Sequence, residues 1–443
     1  MPTQATSNQM FNRMKEFLQK RYPQQTNINL QLAHGNALIN EDFQEMQLSA
    51  VDGIEGSLSG NVNALEWFLP RKRTLLAPFG VGTVDQTFLS VLRTRHSFLR
   101  LFGLHRKVII FDEVHAYDTY MQKIFQQLLA WLRAIGSSVI LLSATLPHAT
   151  RLALLTAYQP AAAVQSTQAA YPRLSINDGK TITTASLGAF PNRTVHLQTI
   201  SRDSQTWPEL LREKLAAGGC AAIICNTVDR AQQVYQQLST AALVEKEDLF
   251  LLHARMPYCW REQKETKILT RFGKQSQPAV HPRRGIVVAT QIIEQSLDLD
   301  FDLLISDLAP IDLLIQRIGR LQRHTGSPNA PLRPPLLAEP LCLISQPDPT
   351  AANELPGFGA DEWVYDPVTL QRTYYCLVGR QSISLPADSD ALINQVYADD
   401  DLLACSPAQN QLMRLNYQKM LKDQAAEMVK AQNQLVGDVD SNA

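Results

Sequence analysis

The stretch Lys107–Asp118, KVIIFDEVHAYD, constrains this chain more than any other. Four apolar residues, Val108 to Phe111, run straight into Asp112 and Glu113. A continuous apolar run bounded by polar residues predicts a strand buried on both faces of a parallel sheet. The carboxyl end of such a strand is the edge at which open α/β sheets bind ligands. Two adjacent carboxylates there suit nucleotide hydrolysis. One can hold Mg²⁺, usually through water, and the other can orient or deprotonate an attacking water. The same pair also fits an acidic strand end that holds no metal.

The flanking pattern predicts an α/β chain. An amphipathic helix runs from about Gln9 to Lys20, as if the chain began mid-domain, and Ile28–Ala33 is a strand. Residues 36–70 are polar, with two weak helical stretches. Gly82-Thr83-Val84-Asp85-Gln86 opens a helix through about Leu92, with Thr83 as its N-cap. Tyr120–Ile135 is a strong helix, and Val139–Leu142 is a second buried strand. The β-α-β-α order implies parallel pairing. Asn177-Asp178-Gly179-Lys180 sits between two short β runs and predicts a hairpin in a connector. From about Trp207 the alternation resumes, with strands at Ala221–Cys225, Leu249–Leu252, Gly285–Ala289 and Leu303–Ile305. Helices run over Pro208–Ala217, Asp229–Leu238, Trp260–Phe272 and Ile311–Arg320. Residues 325–360 are proline-rich and read as a linker. The tail is largely helical, with Gln409–Asn433 its strongest piece.

At 443 residues the length allows two or three domains. The organisation expected is a first α/β domain over 1–160, a connector over 161–205, a second over 206–345 and a helical region over 346–443. A net charge of -1 announces no global basic field, although it leaves a local basic groove possible. The six cysteines include no CxxC pair and suit a reducing cytoplasm. No apolar run is long enough to span a membrane.

Two further segments carry chemistry. Gln316–Arg323, QRIGRLQR, sets arginines at i, i+3 and i+6, which on one helix share nearly the same face. Such a face is either an exposed basic surface or a clamp for phosphate oxygens. Ala289–Asp298, ATQIIEQSLD, places polar side chains after a strand end, as an ordinary strand-to-helix turn would also do.

DEVH at 112–115, SAT at 143–145, ATQIIEQSLD at 289–298 and QRIGRLQR at 316–323 resemble the motifs of superfamily 2 helicases, in the right order across two RecA-like domains. PTQATSNQM at 2–10, LAHGN at 32–36, GTVDQ at 82–86, DEVHAYDTYM at 112–121, SVILLSATLP at 138–147 and IEQSLDLDFD at 293–302 sharpen this. They resemble the helicase part of the CRISPR-associated helicase-nuclease of type I systems. The resemblance implies two RecA-like parallel-sheet domains in tandem with a mostly helical carboxyl-terminal domain. It implies an ATP- and Mg²⁺-dependent helicase that moves 3′-to-5′ on single-stranded DNA in antiviral defence, recruited by the Cascade surveillance complex. Asp112 would hold Mg²⁺ and Glu113 would act on the attacking water. His115, Ser143 and Thr145 would couple the ATP site to the DNA groove. Gln295 and Asp298 would sense nucleotide, and Arg320 and Arg323, with Gln316 beside them, would reach the phosphates. Thr3, Gln4, Thr6, Thr83, Asn226, Thr227, His253, Arg255 and Thr290 would line the single-strand path, on backbone phosphates or as ordinary caps.

Such a motor needs a loop GxxxxGK[ST] whose backbone N–H groups cradle phosphates. These residues contain none: Gly179-Lys180-Thr181 lacks the earlier glycine, because position 174 is Leu174, and it lies in the hairpin. In the family this loop and a nuclease domain with an adjacent His-Asp pair lie upstream, and no His-Asp dipeptide occurs here. The expectation is therefore a chain that needs an upstream polypeptide for ATP hydrolysis and is less stable without it. The alternative is a non-catalytic single-strand-binding or Cascade-docking remnant. GTVDQ and DEVHAYD speak against a third option, an unrelated RNA or repair helicase.

Overall fold

The computed structural model describes residues 4–23, 28–34, 62–63, 73–166, 169–188, 190–274, 276, 284–295, 297–324, 333–348, 351, 353–398, 400–402 and 404–439. Apart from 62–63, the span 36–70 lies outside them. The chain is α/β, with largely parallel sheets and a helical carboxyl-terminal region. It divides into two compact units, one of residues 1–169, 174–185 and 422–443, the other of 170–173 and 186–421.

In the first unit, helix α1 (Gln4–Arg21) covers β1 (Ile28–Ala33), burying Phe11 and Leu18 against Ile28, Leu30 and Leu32. β1 lies between β2 (Val62–Asn63) and β3 (Phe79–Gly82), all parallel. Gly82 is required here, because any Cβ would collide with the Ala33 carbonyl across the ladder. Short helices α2 (Val84–Phe88) and α3 (Ser97–Leu104) lead to β4 (Val108–Phe111). Helix α4 (Thr119–Ala134) then crosses to β5 (Ser138–Leu141), which pairs parallel with β4. Asp118 caps α4 by accepting the Met121 N–H at 2.7 Å. Helix α5 (His148–Tyr158) and the small sheet β6 (Ala163–Val164), β8 (Thr181–Ser186), β7 (Arg173–Asn177) follow. Gly179 takes a φ of +92° in the turn between β7 and β8, so Lys180 belongs to a tight turn and not to a phosphate loop.

The DEVH strand departs from expectation in one respect. It is buried on one face only. Phe111 packs on Phe125 and Tyr117 beneath α4, with ring centroids 4.8 Å apart for Phe111–Phe125. The other face carries Val108, 67% exposed, with Ile110, Ile140 and Leu142 also exposed. Among the described residues β4 pairs with β5 alone, and no element covers that face.

The second unit is built on a seven-stranded sheet ordered β11-β12-β10-β13-β14-β9-β15. Its strands are β9 (Arg193–Ser201), β10 (Gly219–Ile224), β11 (Leu249–Leu252), β12 (Arg284–Ala289), β13 (Leu303–Asp307), β14 (Leu341–Gln346) and β15 (Ser382–Leu385). All pair parallel except β15 on β9. β10, β12 and β13 are apolar almost throughout and buried on both faces, as central parallel strands require. Helices α6 (Trp207–Lys214), α7 (Val228–Ala241), α8 (Tyr258–Phe272), α9 (Ile292–Gln295) and α10 (Ile311–Ile318) flank it. Two strands lie where irregular chain is expected. β14 falls in the proline-rich span, because Leu341-Cys342-Leu343-Ile344 is an apolar run buried between β13 and β9. β9 falls in the span read as connector. Helices α11 (Pro367–Leu377) and α12 (Ser389–Tyr397) extend the core, and α13 (Pro407–Gln434) closes the chain. No helix among the described residues is long and apolar enough to cross a membrane.

His34 follows β1 and is buried, its Nε2–H donating to Asn8 Oδ1 at 2.8 Å. Burial pushes its pKa down from 6.5 to about 4. A pKa lowered by folding leaves the folded state binding fewer protons between those values, so stability present above pH 6.5 is lost as pH falls toward 4. Wild type should therefore lose thermal stability over that window relative to His34→Gln; a midpoint difference that does not change with pH would overturn this. The open face of β4 gives a second expectation. Phe111→Ala should cost about 3–5 kcal/mol in denaturant unfolding and Ile110→Thr under about 1 kcal/mol, and equal costs would mean that the face is covered.

Candidate functional site

At the end of β4 the chain turns sharply. Glu113 adopts left-handed backbone, with φ 55° and ψ 45°, which costs a non-glycine residue about 1–3 kcal/mol and marks functional positions. Its N–H donates to Asp112 Oδ1 at 3.0 Å, and the Val114 N–H reaches the Leu142 carbonyl at 3.2 Å. These bonds set both carboxylates at the carboxyl edge of β4 and β5. His115 then joins two motifs: its Nδ1 lies 3.1 Å from Ser143 Oγ and its Nε2 3.4 Å from Glu113 Oε2. Ser143 Oγ donates to the Thr145 carbonyl at 3.0 Å. Tyr117 lies buried below, its pKa raised by burial and further by Asp112 and Asp85, which places GTVDQ beside DEVH. Thr83 occupies the N-cap position of α2, but its side chain makes no capping bond there.

In the second unit the polar groups gather at the carboxyl ends of the parallel strands. Their hub is Arg317, fully buried. Its Nε donates to Glu294 Oε1 at 2.6 Å, Nη1 to Ser306 Oγ at 2.9 Å and the Asp307 carbonyl at 3.0 Å, and Nη2 to Asn226 Oδ1 at 3.0 Å and Tyr365 Oη at 3.1 Å. That uses all five donors of a guanidinium. Burial opposes the charge most strongly, but Glu294, Tyr365 and Asp307 together outweigh it and raise the Arg317 pKa. Glu294 itself is shifted upward by burial, against the pull of Arg317. Asn226 also donates from Nδ2 to the Leu308 carbonyl at 2.7 Å and to Asp361 Oδ2 at 2.9 Å. Gln291 Nε2 donates to the Asn226 carbonyl at 2.7 Å and to Tyr365 Oη at 3.1 Å.

The three arginines do not share a helix face. Helix α10 ends at Ile318, with Gly319 as its C-cap, and the chain continues in a tight turn closed by Arg320 N–H to the Arg317 carbonyl at 2.9 Å. Arg317 therefore points into the core. Arg320 is buried and bonds the carbonyls of Ile293 and Glu294. Arg323 is partly exposed and pairs with Asp298 at 2.8 Å. Gln316 lies on α10, one residue before the hub.

The residues expected along a single strand divide into several groups. Thr3 lies outside the described residues, as do the side chains of Gln4 and Thr6 and, of the residues expected to sense nucleotide, that of Gln295. Asn226 spends its side-chain atoms on the internal network. Thr227 caps α7, accepting the Arg230 N–H at 3.3 Å. Thr290 is buried at the end of β12, its N–H on the Leu252 carbonyl at 3.2 Å. His253, at the end of β11, is buried, and burial, then Lys264 and Arg255, lower its pKa. Arg255 is open, with a side chain 75% exposed. Asp361, and the burial and mutual contacts of Glu294, Arg317 and Tyr365, escaped the sequence reading. A single Glu or Arg within a helical pattern carries no sign of burial, and Tyr365 lies 48 residues from Arg317 along the chain. Removing the hub cation leaves Glu294 buried without its partner, so Arg317→Ala should destabilise the second unit by about 3–5 kcal/mol in guanidinium unfolding. A loss below about 1 kcal/mol would show that the network relaxes without cost.

Residues 217–326 match the family model described as CRISPR-associated nuclease/helicase Cas3, C-terminal. The chain is 37% identical to the CRISPR-associated endonuclease/helicase Cas3 of Thermus thermophilus, an alignment that takes in 90% of this chain and 46% of that protein. It thus spans about half the length of the curated relatives it matches. The structure of T. fusca Cas3 with ATP superposes with a TM-score of 0.84 at 35% identity, covering 99% of this chain and 49% of that one. A chain of a CRISPR RNA-guided surveillance complex in a pre-nicking state gives a TM-score of 0.72 at 31% identity, covering 99% and 52%. With the ordered motifs and the fold they occupy, these similarities match the chain to the helicase portion of CRISPR-associated Cas3 nuclease/helicases.

Proposed function

We propose that these residues are the helicase part of a CRISPR-associated, ATP-dependent motor that moves 3′-to-5′ on single-stranded DNA in antiviral defence and acts with the Cascade surveillance complex. The observation that carries the reading is the His115–Ser143 contact at 3.1 Å, which links the acidic strand end to the SAT segment as a coupled motor needs. A similar solved chain with ATP, and another within an RNA-guided surveillance complex, support the nucleotide and the partner.

The chemistry follows from the side chains. Asp112 has one oxygen committed to the Glu113 N–H, which leaves the other for a hard cation. Among the described residues no group of three His, Cys, Asp or Glu could hold a metal ion, so Mg²⁺ would rest on Asp112, water and the nucleotide's phosphates. When bound, it would neutralise charge developing on the transferring phosphoryl group. Glu113 orients or deprotonates the attacking water, and His115 Nε2, 3.4 Å from its carboxylate, reports that state toward Ser143 and Thr145. Arg320 and Arg323, with Gln316, Gln295 and Asp298, form the nucleotide-sensing set of the second unit. The Arg323–Asp298 pair at 2.8 Å would open to release the guanidinium to phosphate. Arg255, Thr227, His253, Thr290 and Thr83, with Thr3, Gln4 and Thr6, would contact strand phosphates, and Asn226 would hold its loop in place for them.

These residues contain no GxxxxGK[ST], so turnover takes a phosphate loop from a polypeptide outside them. The open apolar face of β4 and β5 favours a second reading, a non-catalytic strand-binding or Cascade-docking module. ATPase rates with single-stranded DNA separate the two, measured for the chain alone and mixed with the amino-terminal half of a relative. The chain alone should stay at background and the mixture should turn over. Glu113→Gln should lower the mixture's rate by about 10²–10⁴-fold with strand affinity unchanged. Vigorous turnover by the chain alone, or turnover that survives Glu113→Gln, would sink the proposal.

A further inference from the structure

Trp363 is 91% exposed, although the turn it sits in is held by several hydrogen bonds. The turn Gly359–Trp363 follows Phe358, which is buried against Tyr374 with ring centroids 6.5 Å apart. Two residues before the indole, Asp361 is fully buried, accepting Asn226 Nδ2 at 2.9 Å and Arg202 Nη2 at 2.8 Å. The Val364 and Tyr365 N–H groups return to the Asp361 carbonyl at 3.0 and 2.9 Å. Two residues after the indole, Tyr365 Oη accepts from Gln291 and Arg317, each at 3.1 Å. The backbone is thus pinned on both sides of a side chain that packs on almost nothing.

The anchors give the location. Asn226 immediately precedes Thr227 at the end of β10, and Gln291 immediately follows Thr290 at the end of β12. These strands are neighbours in the sheet. The turn that carries the indole is therefore tied to the residues beside the two loops to which the proposed function assigns the strand's phosphates, and Arg202 bonds Asp361 within it. A rigid aromatic next to phosphate-binding loops suits a flat, apolar partner attached to a phosphate backbone. Every nucleobase presents such a face, and stacking on an aromatic side chain is insensitive to sequence.

We propose that Trp363 is a stacking platform for one base of the bound single strand, held in register with the backbone contacts by Asp361 and Tyr365. This rests on the single-strand reading above. It makes the second unit a reader of bases as surfaces, not as sequence.

The test uses the full chain and fluorescence anisotropy with labelled oligo-dT and an abasic strand of the same length. Trp363→Ala should weaken oligo-dT binding on the order of tenfold, and Trp363→Phe should restore most of it. Wild type and both variants should bind the abasic strand alike. Arg255→Ala should weaken both strands, because phosphate contacts ignore the base. Equal affinity of Trp363→Ala and wild type for oligo-dT would overturn the stacking role alone, as would an equal loss on the abasic strand. If wild type binds neither strand, the single-strand reading and this inference fall together. The exposure of Trp363 means that its substitution should leave the thermal midpoint unchanged, which separates lost binding from lost folding.

Discussion

The second unit depends on one buried cation. Arg317 carries a full charge into a region with almost no water, and that is tolerable only because every guanidinium donor meets an acceptor. Those acceptors come from α9, the end of β13, the end of β10 and the segment before α11. One planar group therefore sets the relative positions of four chain segments. An ammonium in its place would have a different shape and fewer donors, so lysine is no equivalent here.

The network also links residues to which the proposed function gives different tasks. Arg320 and Arg323 follow the hub within six positions, and Glu294 lies within four of Asp298. On its other side Asn226 and Gln291 lead directly into Thr227 and Thr290. Under the proposed function, a shift at the turn that carries Arg320 and Arg323 would be felt at the strand-end loops through bonds of 2.6–3.0 Å. Close-packed networks of this kind have few intermediate arrangements, which suits a motor that must pass between discrete states.

The first unit has a different character. Its acidic strand end is well formed, with a strained Glu113 and the His115 bridge to Ser143. Yet β4 and β5 bury one face beneath α4 and, among the described residues, leave Val108, Ile110, Ile140 and Leu142 uncovered. An apolar strand face of this kind normally packs on another layer. The acidic pair and its open flank belong to the same strand pair, so whatever covers that face also bears on the geometry of Asp112 and Glu113.

The sequence by itself determined the strands and helices, because period and apolar runs are local. Val108–Phe111, Ile28–Ala33 and Leu249–Leu252 appear with the bounds read from their residues. It also carried the resemblance to CRISPR-associated helicases, because ordered motifs such as DEVH and QRIGRLQR are local strings. Tertiary structure decided what each motif residue faces. β14 was hidden among prolines until β13 and β9 closed over it. The arginine series resembled one helix face until Gly319 ended α10 and turned Arg317 inward. Asp361 and Tyr365 gained their roles only through Asn226 and Arg317, more than forty residues away. Burial and hydrogen-bond partnership are properties of distant segments brought together, and no local pattern encodes them.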